Sequence, residues 1–193
     1  MLLIGIVGRK GSGKSTISDY IRTHRQLKEI SFSDPLKDAI STIFGIPYRS
    51  LIDQNLKEVE IPEWGLSPRK IMQKFGGGLR EIHPDVGVRF TEHSIRRQIT
   101  PYRHYPVDRF RGVVVPDVRY PNEVDMIHRN DGVIIKVVPF GGWPAQEYDE
   151  HPSERWETLD FDYQLCNHFG DYNITIQDLE RILNDIDIEK RKD

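Results

Sequence analysis

Apolar and polar positions divide the chain into alternating strand and helix signals. The first apolar run, Leu2, Leu3, Ile4, Gly5, Ile6 and Val7, is short and β-branched, as a strand buried on both faces requires. Ile17, Tyr20 and Ile21 then recur at helical spacing, so a strand over 2–8 and a helix over about 14–24 are predicted. A short second strand is predicted over 29–33, with Asp34 as the cap of the next helix and Pro35 in its first turn. Leu36, Ala39, Ile40, Ile43 and Phe44 give that helix its apolar side, and Gly45 stops it. Residues 45–66 hold Pro47, Pro62, Trp64 and Gly65 among scattered charges and read as an irregular excursion over the face that carries the site.

Ser67 and Pro68 open another helix, burying Ile71, Met72 and Phe75 and ending at Gly76, Gly77 and Gly78. The next uses Asp85 as cap and buries Val86, Phe90, Ile95 and Ile99 until Pro101. Strands are predicted over 112–115, 133–138 and 162–167, with a helix from Asn122 to near Gly132. Thr175 is read as the cap of a last helix that buries Leu179, Ile182, Leu183 and Ile186. Strands alternating with helices predict an α/β fold, a parallel sheet wrapped on both faces with ligands at the carboxyl ends of its strands. Residues 139–160 form a polar loop, longer than most connections in a compact domain.

Composition narrows the class. A chain of 193 residues fits one domain, 1–193, with room for a real core. Its 30 acidic and 27 basic residues nearly cancel, which argues against gripping nucleic acid by bulk charge. The single cysteine, Cys166, excludes an internal disulfide and predicts a reducing, cytoplasmic setting. No apolar stretch approaches a membrane span, and no charged leader precedes the first strand, so no membrane association is expected.

The strongest chemical signal lies between the first strand and the first helix. Gly8-Arg9-Lys10-Gly11-Ser12-Gly13-Lys14-Ser15, followed by Thr16, matches G-x-x-x-x-G-K-[ST] in the strand-to-helix context that this phosphate-cradling pattern requires. Glycines let the backbone curl around phosphate oxygens, and the helix N-terminus adds unpaired N–H groups and a positive dipole end. Lys14 would reach the outer phosphates and the Ser15 hydroxyl would bind Mg²⁺. A nucleotide site is predicted.

Other residues carry two readings each. Asp117, at the end of an apolar strand, suits a Mg²⁺ carboxylate or a turn aspartate before Pro121; Arg119 suits a phosphate ligand or a surface ion pair. Arg69 and Gln73, four apart on a capped helix, suit a phosphate-binding and a base-binding group or a solvated face, and Lys37 shares that ambiguity. Arg80 and Arg155 are further candidate phosphate ligands, and His151, Ser153, Glu154 and Arg155 cluster in the long loop without zinc-ligand spacing. Trp64, Trp143 and Trp156 suit base stacking or plain packing.

Taken together these residues resemble the deoxynucleoside monophosphate kinases found mainly in tailed bacteriophages, within the P-loop nucleoside monophosphate kinase group. The resemblance rests on Gly8 to Thr16, Phe32-Ser33-Asp34-Pro35-Leu36-Lys37, Lys57-Glu58, and Ser67-Pro68-Arg69-Lys70-Ile71-Met72-Gln73. It continues through Val115-Pro116-Asp117-Val118-Arg119, Asn122-Glu123, His151-Pro152-Ser153-Glu154 and Asn167. It implies a three-layer P-loop kinase fold and transfer of the γ-phosphate of ATP to a deoxynucleoside 5′-monophosphate, with Mg²⁺ as cofactor. Gly8, Lys10, Gly11, Ser12, Gly13, Lys14, Ser15 and Thr16 would then bind ATP, with Asn167 near the adenine. Lys14, Asp117 and Arg119 would be catalytic, and Ser15 and Asp117 would hold the metal. Asp34, Lys37, Arg69, Gln73 and Arg119 would bind the monophosphate, within a substrate region at about 34–111. Residues 139–160, with His151, Glu154 and Arg155, would be a lid. A homodimer is compatible with the family.

Two alternatives stay open at this stage. One is a P-loop kinase for another small acceptor, such as a dephospho-coenzyme A or phosphomevalonate kinase analogue. The other is a nucleotide-dependent switch, against which the chain has no Asn-Lys-x-Asp segment for reading guanine.

Overall fold

β1 (Leu2–Val7) is the central strand of a five-stranded, all-parallel sheet in the order β2-β3-β1-β4-β5. The other strands are β2 (Leu27–Glu29), β3 (Gly112–Val115), β4 (Val133–Pro139) and β5 (Tyr163–Asn167), of which β3 and β4 pair with β1 directly. The structure is a computed structural model that describes residues 1–99, 110–141 and 156–190, with the backbone alone at 97–99. Contacts divide it into two units, Met1–Ile30 with Gln98–Asp193, and Ser31–Arg97.

In the first unit, side chains alternate across the sheet as strand geometry demands. Ile4, Ile6, Val114, Ile135, Val137 and Leu165 join Ile17 and Ile21 of α1 (Lys14–Arg25) and Leu179, Leu183 and Ile186 of α7 (Tyr172–Glu189) in one core. On the opposite face Gly5 leaves room for Ile134, Val118 and Ile127, the last from α6 (Pro121–Arg129). Each fully buried aliphatic side chain contributes roughly 1.5–3 kcal/mol. Helices therefore cover both faces, and the α/β architecture read from the sequence is the observed one. α1 and α7 are also joined by Arg25, which donates to Glu180 at 2.9 Å and pairs with Asp187 at 3.5 Å. Tyr20 donates to Glu180 at 2.9 Å.

The second unit is helical: α2 (Asp34–Phe44), α3 (Tyr48–Ile52), a 3-10 turn (Leu56–Glu58), α4 (Pro68–Ile82) and most of α5 (Val86–Ile99). Ile40, Ile46, Leu51 and Ile71 form its core, with Leu36, Phe44 and Phe75 packed against them.

Several local expectations are corrected. β2 is Leu27–Glu29, not 29–33, because left-handed Gln26 (φ 54°) ends α1 and the chain enters the sheet at once. Asp34 is the first residue of α2, not its cap; its carboxylate accepts from Ser31 N at 3.0 Å. The stretch 45–66 holds α3, the 3-10 turn and an Ile61–Leu66 bridge. The three glycines do not end α4, which runs through Gly76, Gly77 and Gly78 at ordinary helical dihedrals, with buried Gly76 passing close to Leu36. α5 turns Val88, Thr91 and Ile95 inward and leaves Phe90 exposed. α6 starts at Pro121 rather than Asn122, and Asp171 rather than Thr175 caps α7, its carboxylate accepting from Ile174 N at 3.4 Å.

Candidate functional site

The phosphate loop lies where β1 leaves the carboxyl edge of the sheet and α1 begins. Gly13 caps α1 without a side-chain hydrogen bond, in the left-handed region (φ 91°), and a methyl there would run into the Asn167 amide. Ser12 N donates to Arg9 O at 3.1 Å, curling the loop on itself. Lys14 Nζ donates to the carbonyls of Gly8 and Arg9, each at 2.6 Å, so its ammonium lies along the loop rather than out in solvent. The first turn of α1 has N–H groups with no acceptor inside the helix, the local chemistry of an anion site. The Ser12 hydroxyl is buried and has no partner among the described residues. Lys10, Gly11, Ser15 and Thr16 are exposed along the same turn.

A buried chain of hydrogen bonds fixes this loop to the far end of the sheet. Asn167 Nδ2 donates to Ser12 O at 2.9 Å, Thr175 Oγ1 donates to Asn167 Oδ1 at 3.3 Å, and His168 N donates to Thr175 Oγ1 at 2.9 Å. Thr175 is wholly buried, so the residue read as a cap serves this link instead. Beside the link is a pocket of about 270 Å³ lined by Gly13, Thr16, Ile17 and the 167–170 turn, with Tyr172. Of this turn the sequence singled out Asn167 alone; the signal for the rest was position, immediately after a strand at the carboxyl edge.

Asp117 and Arg119 lie at the same edge. Val115 pairs with Gly5, and Val118 N donates to Ile6 O at 3.3 Å, so the 116–119 segment leaves β3 alongside the end of β1. Glu123, 3% exposed, holds the turn by accepting from the backbone N–H of Arg119 at 2.7 Å and Tyr120 at 3.2 Å. A glutamate three positions into a helix beginning at proline is the sequence signal for that role. Asp117 is half-buried just beyond the end of β3.

In the second unit the expected acceptor-binding cations are held by carboxylates. Lys37 donates to Asp34 at 3.1 Å, and Arg69 Nε donates to Glu58 at 2.6 Å, with the Arg69 side chain only 17% exposed. Tyr48 lies near Lys37; burial pushes its hydroxyl pKa up, and the Lys37 charge opposes that shift. Arg69 and Gln73 share α4 behind the Ser67 cap, whose hydroxyl accepts from Lys70 N at 3.4 Å. Arg80 Nη1 donates to Gly76 O of its own helix at 3.3 Å. The lid residues His151, Glu154 and Arg155 lie outside the described residues, as does Trp143. Trp64, 40% exposed, meets Phe44 edge-on at 5.1 Å, and buried Trp156 faces the Lys136 ammonium.

Among the described residues no three His, Cys, Asp or Glu side chains gather around a metal position. A hydroxyl at Ser15 and a carboxylate at Asp117 are hard oxygen donors on one sheet edge, the donor type that suits Mg²⁺ bound largely by substrate phosphates. No helix among the described residues is long and apolar enough to cross a membrane.

No protein-family model matches the chain. A protein of Acanthamoeba polyphaga mimivirus named "Putative deoxynucleotide monophosphate kinase" is 35% identical over 162 residues, covering 80% of this chain and 81% of that one. With a G-x-x-x-x-G-K-S loop after the central strand of a parallel sheet, and a relative aligned over four-fifths of both chains, the protein belongs to the nucleotide monophosphate kinase family.

Proposed function

We propose that the protein transfers the γ-phosphate of ATP to a deoxynucleoside 5′-monophosphate, giving ADP and the deoxynucleoside diphosphate. The observation that carries this is the Lys14 loop, curled at the edge of the sheet with its ammonium on the Gly8 and Arg9 carbonyls, in a chain related to a protein named as a "Putative deoxynucleotide monophosphate kinase". The same reading extends the likeness to the bacteriophage enzymes.

On this reading a phosphate oxygen of the monophosphate attacks the γ-phosphorus, and the bond to the β-phosphate oxygen breaks with ADP leaving. Both reactants are already anionic, so positioning and charge neutralisation matter more than proton transfer. Gly8 to Thr16 bind the ATP phosphates, and Lys14 leaves its two carbonyls for the β- and γ-oxygens. Ser15 and Asp117 would hold Mg²⁺, which would supply further charge neutralisation. Arg119 contacts the transferred phosphoryl group. Lys37, Arg69 and Gln73 take the monophosphate, and residues 139–160 exclude water so that transfer outpaces hydrolysis.

Coupled ADP release with MgATP tests the proposal against dAMP, dCMP, dGMP, dTMP, their ribonucleotide counterparts and no acceptor. Release stimulated by at least one deoxynucleotide, and lost in Lys14→Ala, is the expected result. Release that no monophosphate stimulates would overturn the substrate assignment.

A further inference from the structure

Glu123 is tied more tightly than its helix requires. As the third residue of α6, which begins at Pro121, it needs only the N–H of Tyr120 to complete a capping box. That bond is the longer of two, at 3.2 Å. The shorter, at 2.7 Å, reaches one residue further back and takes the N–H of Arg119 on the same oxygen, Oε2. Arg119 lies outside α6, so the closer contact falls on an N–H that the cap does not use.

The residue before Arg119 is pinned as well. Val118 is 1% exposed, its N–H donates to Ile6 O, and its side chain occupies the space that Gly5 leaves on β1. Arg119 is therefore held at its own N–H and at its neighbour, although β3 ended at Val115. A carboxylate holds an N–H about twice as strongly as a neutral acceptor does, and the burial of Glu123 keeps water from competing for the bond. What these contacts fix is the backbone from which the long Arg119 side chain starts. Misplacing a phosphate-binding group by about 1 Å can lower a rate roughly 10²-fold.

We propose that Glu123 is a positioning residue for Arg119. It touches no substrate; its buried carboxylate holds the backbone from which Arg119 meets the transferred phosphoryl group. This rests on the role given to Arg119 in the proposed function.

Transfer kinetics of the full chain with MgATP and the best acceptor among the four DNA monophosphates, joined to amide hydrogen exchange read by NMR, test it. Glu123→Ala is expected to lower kcat roughly 10- to 100-fold with both KM values within about threefold of the unsubstituted protein's. Glu123→Gln keeps an acceptor oxygen and the side-chain volume, so it should fold normally and lose less, roughly threefold to tenfold. In an Arg119→Ala background either substitution should change kcat by less than about twofold, because the group being positioned is gone. A loss that persists in full in that background would overturn the inference, as would an Arg119→Ala variant with unchanged kcat. Exchange of the Arg119 amide should quicken about 10- to 100-fold in Glu123→Ala while the amides of β1 and β3 keep their rates. Unchanged exchange at Arg119 would overturn the inference, and so would a quickening spread over both strands, since the glutamate would then support the fold at large. If no monophosphate accepts phosphate, the proposed function falls and exchange alone decides whether Glu123 holds Arg119. If transfer proceeds and the Glu123 variants match the unsubstituted protein, the proposed function stands and this inference falls.

Discussion

On the proposed function, the glycine-rich loop and the helical unit would recognise phosphate by different means. In the loop, recognition sits on the backbone: a left-handed Gly13, a curled turn, the N-terminus of α1, and one lysine lying on two carbonyls. In the helical unit it would sit on side chains whose positions are fixed by carboxylates, Asp34 for Lys37 and Glu58 for Arg69. A backbone site is written in consecutive residues. A side-chain site is assembled from distant ones: Glu58 and Arg69 are 11 positions apart on different elements.

This contrast orders the expected effects of substitution. Lys14→Ala removes the ammonium that lies on the Gly8 and Arg9 carbonyls and should lower kcat/KM by about 10²- to 10³-fold, as loss of a preorganised electrostatic group does. Arg69→Ala should act on the acceptor alone, raising the KM for the monophosphate roughly 10- to 100-fold while the KM for MgATP stays put. Steady-state kinetics with each substrate varied separates the two; a shift in the ATP constant would remove Arg69 from the acceptor site.

A smaller effect tests the helical unit's architecture. Gly77 and Gly78 lie inside α4 with open space where a Cβ would stand. Alanine at either should therefore stabilise the protein by about 0.5–1 kcal/mol in urea denaturation. Destabilisation would mean that the helix ends at the glycines after all. Smallest is the α1–α7 contact. The hydrogen bond from Arg25, assisted by Tyr20, holds the Glu180 carboxyl below its ordinary pKa. The stability it contributes is present above about pH 4.5 and fades as pH falls through the lowered value, so Glu180→Gln should cost about 0.5 kcal/mol near neutrality and less in acid. Denaturation at pH 7 and pH 4 measures it.

The same contrast explains what the sequence disclosed. The loop, its flanking strand and helix, and the alternation that builds the sheet were all legible, because each is local and periodic. Asp117 was legible as a strand end. The stop of α4 was misread because glycine's preference for helix ends is only a propensity, and packing of Gly76 against Leu36 overrides it. Thr175 was misread because a threonine near a helix start suits both a cap and a buried link; only burial and its bonds to His168 and Asn167 tell them apart. Of the turn at 167–170 the sequence disclosed Asn167 alone, through the family resemblance; Phe169 and Gly170 carry no motif and are placed only by the fold.

The most direct test of the account follows the phosphate itself. Phosphorus-31 NMR of the protein with MgATP and a mixture of the four DNA monophosphates should show β-phosphate resonances of deoxynucleoside diphosphates growing as ATP is consumed, with little inorganic phosphate. Growth of inorganic phosphate in place of those resonances would contradict it, because the γ-phosphate would then be passing to water and not to a nucleotide.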